Sequence, residues 1–351
     1  MLVRFWQKME KMSLSQTRLK FFDLIKSSSK IVLTTHFSPD DDAISSILSL
    51  YYVLTKKFPK KQIEMIITGN PVNRFSVFLN YSQIHFVSEL ATKLTNADLL
   101  ICLDGGQYSR FSNDSQKILD LKIKTICLDH HQSPPDKFDL LWQNPKAAST
   151  AELVYQFTSK NFVLDETLSK LLLLGILGDT GNFNYIRPGQ YHLFSLVKKI
   201  LQISQINIQE FKSTYSLIEP QAFEIIQEFV KNSKFYQVKN WPDFQVSYLT
   251  NTYSDQLTSE ASSIFVSNYL RLIKGYSWGF TVYQKSDGNF SLSFRSLPGS
   301  VNVRDLVERI GIGGGHDRAS GAKVNAKDAV SSSVVINQII DWLKTNQPLL
   351  T

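Results

Sequence analysis

The chain has 351 residues, 43% of them hydrophobic, with 38 Lys and Arg against 31 Asp and Glu and a formal net charge of +7. That apolar content excludes a mainly disordered chain, and the length is a soft prior for two domains with separate cores. The two cysteines, Cys102 and Cys127, exclude a disulfide framework and read as buried small residues of a reducing compartment.

Residues 1–30 hold seven basic residues (Arg4, Lys8, Lys11, Arg18, Lys20, Lys26, Lys30) and two acidic ones (Glu10, Asp23), a balance of +5 that leaves +2 for the rest. Such an arm can touch phosphate backbones. The favoured reading is plainer: a solvated amphipathic helix with Leu19, Phe22 and Ile25 spaced to face a core. No small-residue cleavage pattern marks a signal peptide, and the apolar run Leu171 to Gly178 is too short to span a bilayer. The expectation is a cytoplasmic protein without a membrane partner.

Strands are expected at Ile31–Thr35, Ile63–Thr68, Leu99–Leu103 and Ile123–Leu128, with a helix from about Asp42 to Lys57 among them. Continuous apolar runs alternating with helical patterns imply a doubly wound, mainly parallel sheet. Helices follow at Thr150–Ser159 and Glu166–Leu177, then a helical connector without glycine from Phe194 to Ile226. The second half reads as a smaller α+β domain with a mixed sheet. Its strands are Phe235–Lys239, Phe244–Leu249, Trp278–Gln284 and Phe290–Phe294, and its helices lie at about Ser259–Ile273 and Ala329–Lys344. Asp287-Gly288 marks a hairpin turn between the last two strands. The fold class is α/β, and no tandem repeat is visible.

Four segments place acids and imidazoles just after apolar runs: His36 to Asp42, with Asp40, Asp41 and Asp42; Asp104-Gly105-Gly106; Asp129-His130-His131; and Asp179-Thr180-Gly181. A lone Asp at a strand end is usually a turn former or helix cap, and Asp104 or Asp179 alone would read that way. His85 and His192 read as ordinary histidines. Four such segments in one α/β domain favour chemistry, because clustered carboxylates repel unless a cation neutralises them. Carboxylate and imidazole donors together suit two divalent metals, Mn²⁺ first, with Mg²⁺, Co²⁺ or Zn²⁺ as alternatives. Later, Gly311-Ile-Gly313-Gly314-Gly315-His316 offers bare amides to an anion, and Arg295-Ser296 ends a strand where it can pair with phosphate. As a plain structural feature the glycine run would be a flexible turn.

With Asp129-His130-His131 and Gly313-Gly314-Gly315-His316 in this order, the sequence resembles the DHH phosphoesterases that carry a DHH-associated C-terminal domain. The resemblance runs from about Ser29 to about Lys344 and is strongest to the branch of bacterial oligoribonucleases (nanoRNases) that also dephosphorylate 3′-phosphoadenosine 5′-phosphate (pAp). It implies a DHH catalytic domain over 31–190 and a substrate-binding domain over 233–351, with the active site in the interdomain cleft; composition and patterning add a basic helical extension over 1–30 and a helical connector over 191–232. It implies one metal held by His36, Asp40 and Asp104, and a second by Asp42, Asp104, His130 and Asp179. Asp129 would orient the imidazoles and His131 would face the scissile phosphate. Arg110, Arg295, Ser296, Gly314, Gly315 and His316 match substrate-binding positions. The sequence departs from the family at Asp41, where Gly is usual, and at Ser45-Ser46, where Gly-Ser is usual.

The implied activity is hydrolysis of short RNA or DNA oligonucleotides to mononucleotides, or of pAp to AMP, by a two-metal-activated hydroxide. The family also implies a homodimer. Two other functions remain open on sequence alone: a phosphodiesterase for linear or cyclic signalling dinucleotides such as pApA and pGpG, and a non-catalytic single-strand nucleic-acid-binding module.

Overall fold

In the computed structural model, which describes residues 12–351, the first element is helix α1 (Leu14–Ser27), started by a Ser13 cap that Gln16 reciprocates. Strand β1 (Lys30–Thr35), helix α2 (Asp41–Lys57) and strands β2 (Gln62–Thr68) and β3 (Ile84–Val87) follow. Next come β4 (Leu99–Leu103), α3 (Ser115–Asp120), β5 (Lys124–Asp129) and β6 (Leu140–Gln143). The six strands form one sheet in the order β3-β2-β1-β4-β5-β6, and every neighbouring pair is parallel. Strand order reverses between β1 and β4. In open parallel sheets that reversal leaves a crevice at the carboxyl ends of the strands.

Both faces of this sheet are covered, as continuous apolar strands require. On one face Ile31, Leu33, Ile101 and Leu128 meet α2 and two further helices, α4 (Thr150–Thr158) and α5 (Glu166–Asp179). On the other, Val32, Leu100, Cys102 and Cys127 meet Tyr108 and Phe111. Both cysteines are buried and free. Helix α6 (Leu193–Ser204) adds Leu193, Val197 and Ile200 to the first core, and α7 (Ile208–Ser213) adds Phe211.

The chain divides after Ser216 into two units. The second holds α8 (Pro220–Lys231), β7 (Lys234–Tyr236), β8 (Phe244–Tyr248), α9 (Asp255–Asn268), β9 (Trp278–Gln284) and β10 (Phe290–Ser296). It continues with α10 (Val303–Ile310), β11 (Gly313–His316), β12 (Ala319–Val324) and α11 (Ser332–Thr345). Its sheet runs β11-β12-β10-β9-β8-β7 and is mixed: β8 and β9 are parallel and the other pairs antiparallel. Trp278, Phe280 and Phe294 on the sheet pack with Leu306 of α10 and Ile336 of α11. The hairpin turn at Asp287-Gly288 forms between β9 and β10, with Gly288 at φ 82°.

Several expectations change. Arg4, Lys8, Glu10 and Lys11 of the basic arm lie outside the described residues. On α1 it is Phe21, not Leu19, that joins Phe22 and Ile25 in the core; Leu19 is 67% exposed. Two of the helix's cations bind the unit itself, Arg18 donating to the Gln156 carbonyl and Lys20 to that of Asp139. The helical stretch from Phe194 to Ile226 is three helices, of which α6 and α7 belong to the first unit and α8 to the second. The expected strand Phe235–Lys239 ends at Tyr236, and the expected helix Ser259–Ile273 spans Asp255–Asn268. The glycine run is no loose turn: Gly313–His316 is a strand paired with β12. A β-carbon on Gly313 would lie 2.0 Å from the Gly321 carbonyl oxygen, so close approach of the two strands requires glycine there. Among the described residues, no helix is long and apolar enough to cross a membrane.

Candidate metal centre

The parallel sheet delivers three of the four acid and imidazole segments to its carboxyl edge. His36 follows β1, Asp104 follows β4, Asp129 ends β5 and His130 follows it, while Asp179 ends α5. Asp40 caps α2, its Oδ1 accepting from the amides of Asp42 (3.1 Å) and Ala43 (3.0 Å). That cap turns the chain so that Asp42 points into the fold, where it is fully buried.

Asp104 sits at the centre. It is 2% exposed and adopts φ 59°, a left-handed conformation that Asp tolerates better than most residues. Its two oxygens face opposite ways: Oδ2 lies 3.4 Å from His36 Nε2, and Oδ1 lies 3.6 Å from both His130 Nε2 and His131 Nδ1. His36 Nε2 is also 3.8 Å from Asp40 Oδ1. His130 Nε2 contacts Asp179 Oδ2 at 2.8 Å and Asp42 Oδ2 at 3.9 Å. Among the described residues, three groups of side chains thus bring ligand atoms together closely enough to hold an ion: His36, Asp40 and Asp104; Asp42, His130 and Asp179; and Asp104, His130 and His131.

The surrounding hydrogen bonds aim these atoms. His36 Nδ1 pairs with the Phe37 carbonyl at 2.7 Å, which turns Nε2 toward the acids. Asp129, fully buried, accepts from His131 at 2.7 Å and from Gln143 at 3.0 Å. Asp42 accepts from the amides of Thr150 (2.6 Å) and Ala151 (2.9 Å), the free N–H groups at the start of α4. The Thr150 hydroxyl donates to Asp104 Oδ1 at 3.0 Å. None of these amide contacts to Asp42 was anticipated from sequence. The available signal was Ser149 with Glu152 three residues on, which announces a helix start with amides to spare.

The electrostatics fit a cation pair. Burial, and then the charges of Asp104 and Asp179, push the Asp42 carboxyl well above the usual range. Burial also raises Asp179, against the pull of His130. For Asp104, burial is outweighed by the His36 hydrogen bond and the charges of His131 and His130, which hold it well below the usual range. Burial disfavours protonated His130, yet Asp179, Asp104 and Asp42 carry it far above an ordinary imidazole. The Nδ1 of His130 is buried without a hydrogen-bond partner among the described residues. Two buried carboxylates, Asp42 and Asp104, and half-buried Asp179 around imidazoles whose Nε2 atoms face them make a donor set that divalent ions suit.

For His36, burial lowers the pKa, but the Asp104 hydrogen bond and the charges of Asp40 and Asp104 raise it from 6.5 to about 9. In metal-free protein the charged ring therefore stabilises the fold fully below pH 6.5, and that contribution is lost as pH rises through about 9. Urea midpoints of chelator-treated protein should fall across this window, and His36→Asn should flatten the fall.

The positions expected to bind substrate divide between the units. Arg110 lies in a short 3-10 turn whose carbonyl accepts from Phe37 N at 3.0 Å, and its charge reaches His36. In the second unit, Gly315 and His316 are exposed, while Arg295 and Gly314 are half-buried. Arg295 donates to its neighbour's carbonyl at Phe294 (2.8 Å). Ser296 is 1% exposed and its hydroxyl is buried without a hydrogen-bond partner among the described residues. His85 is exposed on β3, and His192 holds buried Glu152 at 2.7 Å.

Residues 30–176 match the DHH family, N-terminal domain, and residues 243–345 match the DHHA1 domain. Over 333 residues the chain is 25% identical to a Streptococcus mutans protein named "probable bifunctional oligoribonuclease and PAP phosphatase NrnA", covering 91% of this chain and 97% of that one. It is also 25% identical to the bifunctional oligoribonuclease and PAP phosphatase NrnA of Bacillus subtilis, over 85% of this chain and 90% of that one. Among solved structures, an exopolyphosphatase-related protein from Bacteroides fragilis aligns with TM-score 0.78 at 21% identity, covering 96% of this chain and 98% of that one.

Proposed function

This chain is built from a DHH-family N-terminal domain and a DHHA1 domain, and from that premise we propose that it is a metal-dependent phosphoesterase cleaving short oligonucleotides to mononucleotides and pAp to AMP. The observation that carries the proposal is the convergence of His36, Asp40, Asp42, Asp104, His130 and Asp179 at the carboxyl edge of the parallel sheet. His36, Asp40 and Asp104 would hold one divalent ion, and Asp42, Asp104, His130 and Asp179 a second, with Asp104 shared. Mn²⁺ is the ion this mixed donor set favours. When bound, such a pair supplies Lewis-acid charge to a phosphoryl oxygen and lowers the pKa of a water toward neutrality.

The protein's own groups do the rest. Asp129 fixes the ring of His131 at 2.7 Å, so that this imidazole can meet negative charge developing on the phosphoryl oxygens. Thr150 and the α4 amides keep Asp104 and Asp42 from rotating. No covalent intermediate is needed: water adds to phosphorus as the nucleoside oxygen departs and takes up a proton. Arg295, Ser296, Gly314, Gly315 and His316 are assigned to the nucleotide, and Arg110 to its phosphate. A short recognition surface suits fragments of a few nucleotides, whereas long strands need an extended basic groove with stacking aromatics. The reading extends to a cytoplasmic enzyme acting as a homodimer.

The test is a panel of labelled dinucleotides, short oligomers, pAp, pApA, pGpG and a long single strand, each with chelator-stripped protein and added Mn²⁺, Mg²⁺, Co²⁺ or Zn²⁺. Rapid Mn²⁺-dependent release of mononucleotides from short oligomers and of phosphate from pAp is expected. Preference for pApA or pGpG over other dinucleotides would favour the signalling phosphodiesterase. Tight binding of the long strand without cleavage of any substrate would overturn the enzyme reading.

A further inference from the structure

Asp41 stands between two assigned ligands, Asp40 and Asp42, yet belongs to none of the three groups able to hold an ion. An uncompensated carboxylate here would add negative charge beside a centre whose substrates are anions. It is paired instead. Arg74 donates to it through both prongs of its guanidinium, Nη1 to Oδ1 at 2.9 Å and Nη2 to Oδ2 at 3.1 Å. Arg74 comes from the 3-10 turn Asn73–Phe75 after β2, and its guanidinium lies 4.2 Å from the ring centre of fully buried Phe75. From the other side Asp41 abuts α5: a β-carbon on Gly178 would lie 2.4 Å from Asp41 Cβ. Gly178 immediately precedes Asp179.

Partly exposed ion pairs often contribute little. This one differs in being two-pronged, ring-stacked and wedged between the start of α2 and the end of α5, with side chains only 31% and 22% exposed. We propose that Arg74 is a charge-compensating positioning residue: it cancels the Asp41 carboxylate and holds it against α5, so that the amino end of α2 meets an anionic substrate without surplus negative charge. The substrate's charge is taken from the phosphoesterase reading, on which this inference rests.

The test compares Arg74→Ala, Asp41→Ala and the double variant, with Arg74→Gln as a milder replacement should Arg74→Ala lower the melting temperature. Three quantities are measured: KM and kcat on pAp, calorimetric binding of AMP to Mn²⁺-loaded protein, and Mn²⁺ binding by electron paramagnetic resonance. Removing Arg74 alone should raise KM and weaken AMP binding by roughly fivefold at low salt, with kcat and Mn²⁺ binding nearly unchanged and the defect shrinking as salt screens it. Removing Asp41 as well should bring KM and AMP affinity back to within about twofold of the parent. A merely structural role would not be rescued this way. No change on removing Arg74, loss of Mn²⁺ from that variant, or an equal defect in the double variant, which would mean that Arg74 touches substrate itself, would each overturn the proposal. Failure of the parent protein to hydrolyse any phosphoester would sink the functional reading instead, while the AMP titrations would still measure the compensation.

Discussion

Asp104→Asn is expected to abolish turnover of every phosphoester substrate while leaving the protein folded. Asn keeps the shape of the side chain and tolerates the left-handed backbone at φ 59°, so the substitution isolates the charge. The group it neutralises has one oxygen on His36 and the other on His130, His131 and Thr150. It is the side chain common to both proposed ion sites. Losing it should reduce bound Mn²⁺ from two equivalents to one or fewer and lower kcat by at least about 10³-fold, the scale on which electrostatic stabilisation of a transition state is lost. Metal counting and single-turnover hydrolysis of pAp check this together. Asp104→Ala should be equally inactive and less stable, because Ala is strained at this φ. Retained Mn²⁺-dependent turnover in either variant would refute the bridging assignment.

Gly175→Ala should also impair turnover, less severely, although it changes no ligand. In an exposed helix, Gly to Ala stabilises by about 1 kcal/mol. Here α5 packs so closely on its neighbours that the new β-carbon would lie 2.6 Å from Asp42 Oδ1, 2.7 Å from Ser45 Oγ and 2.8 Å from Ala151 Cβ. Overpacking of this kind costs about 1–3 kcal/mol. The atoms that must give way are the Asp42 carboxylate and the α4 turn whose amides hold it. Displacing that carboxylate by about 1 Å should lower kcat by about 10²-fold. The melting temperature of the metal-free protein and the Mn²⁺ affinity should fall together. A variant as active as the parent would show that the contact between α2 and α5 relaxes without moving Asp42.

The parallel core was legible because its strands are short apolar runs of four to eight residues rich in Ile, Leu and Val and bounded by polar residues, and the acids and imidazoles stood out because they follow those runs. The edge strands β3 and β6 were not legible. Each has four residues, and only the first of each is buried, so neither carries a clear apolar signal. Strand β11 was hidden by its glycines, which sequence reasoning assigns to turns; only the approach of β12 shows why the chain is extended there. Ser45-Ser46, a departure from the family pattern, packs inward, with Ser45 donating to the Leu171 carbonyl at 2.6 Å. The support of Asp42 by Thr150 and of Asp41 by Arg74 joins segments far apart in the chain, and no local pattern announces a contact of that kind.

The spread of the assigned ligands along the chain has a consequence for biosynthesis. Because His36 and Asp179 bracket most of the first unit, no nascent fragment can present the full set before α5 has left the ribosome. Capture of an ion at the proposed site of Asp42, Asp104, His130 and Asp179 would therefore stabilise only the finished unit, by mass action on the native state. Shorter intermediates would lack that second site's protection, so on the proposed reading the supply of the divalent ion should govern how much of this protein accumulates as well as how fast it works.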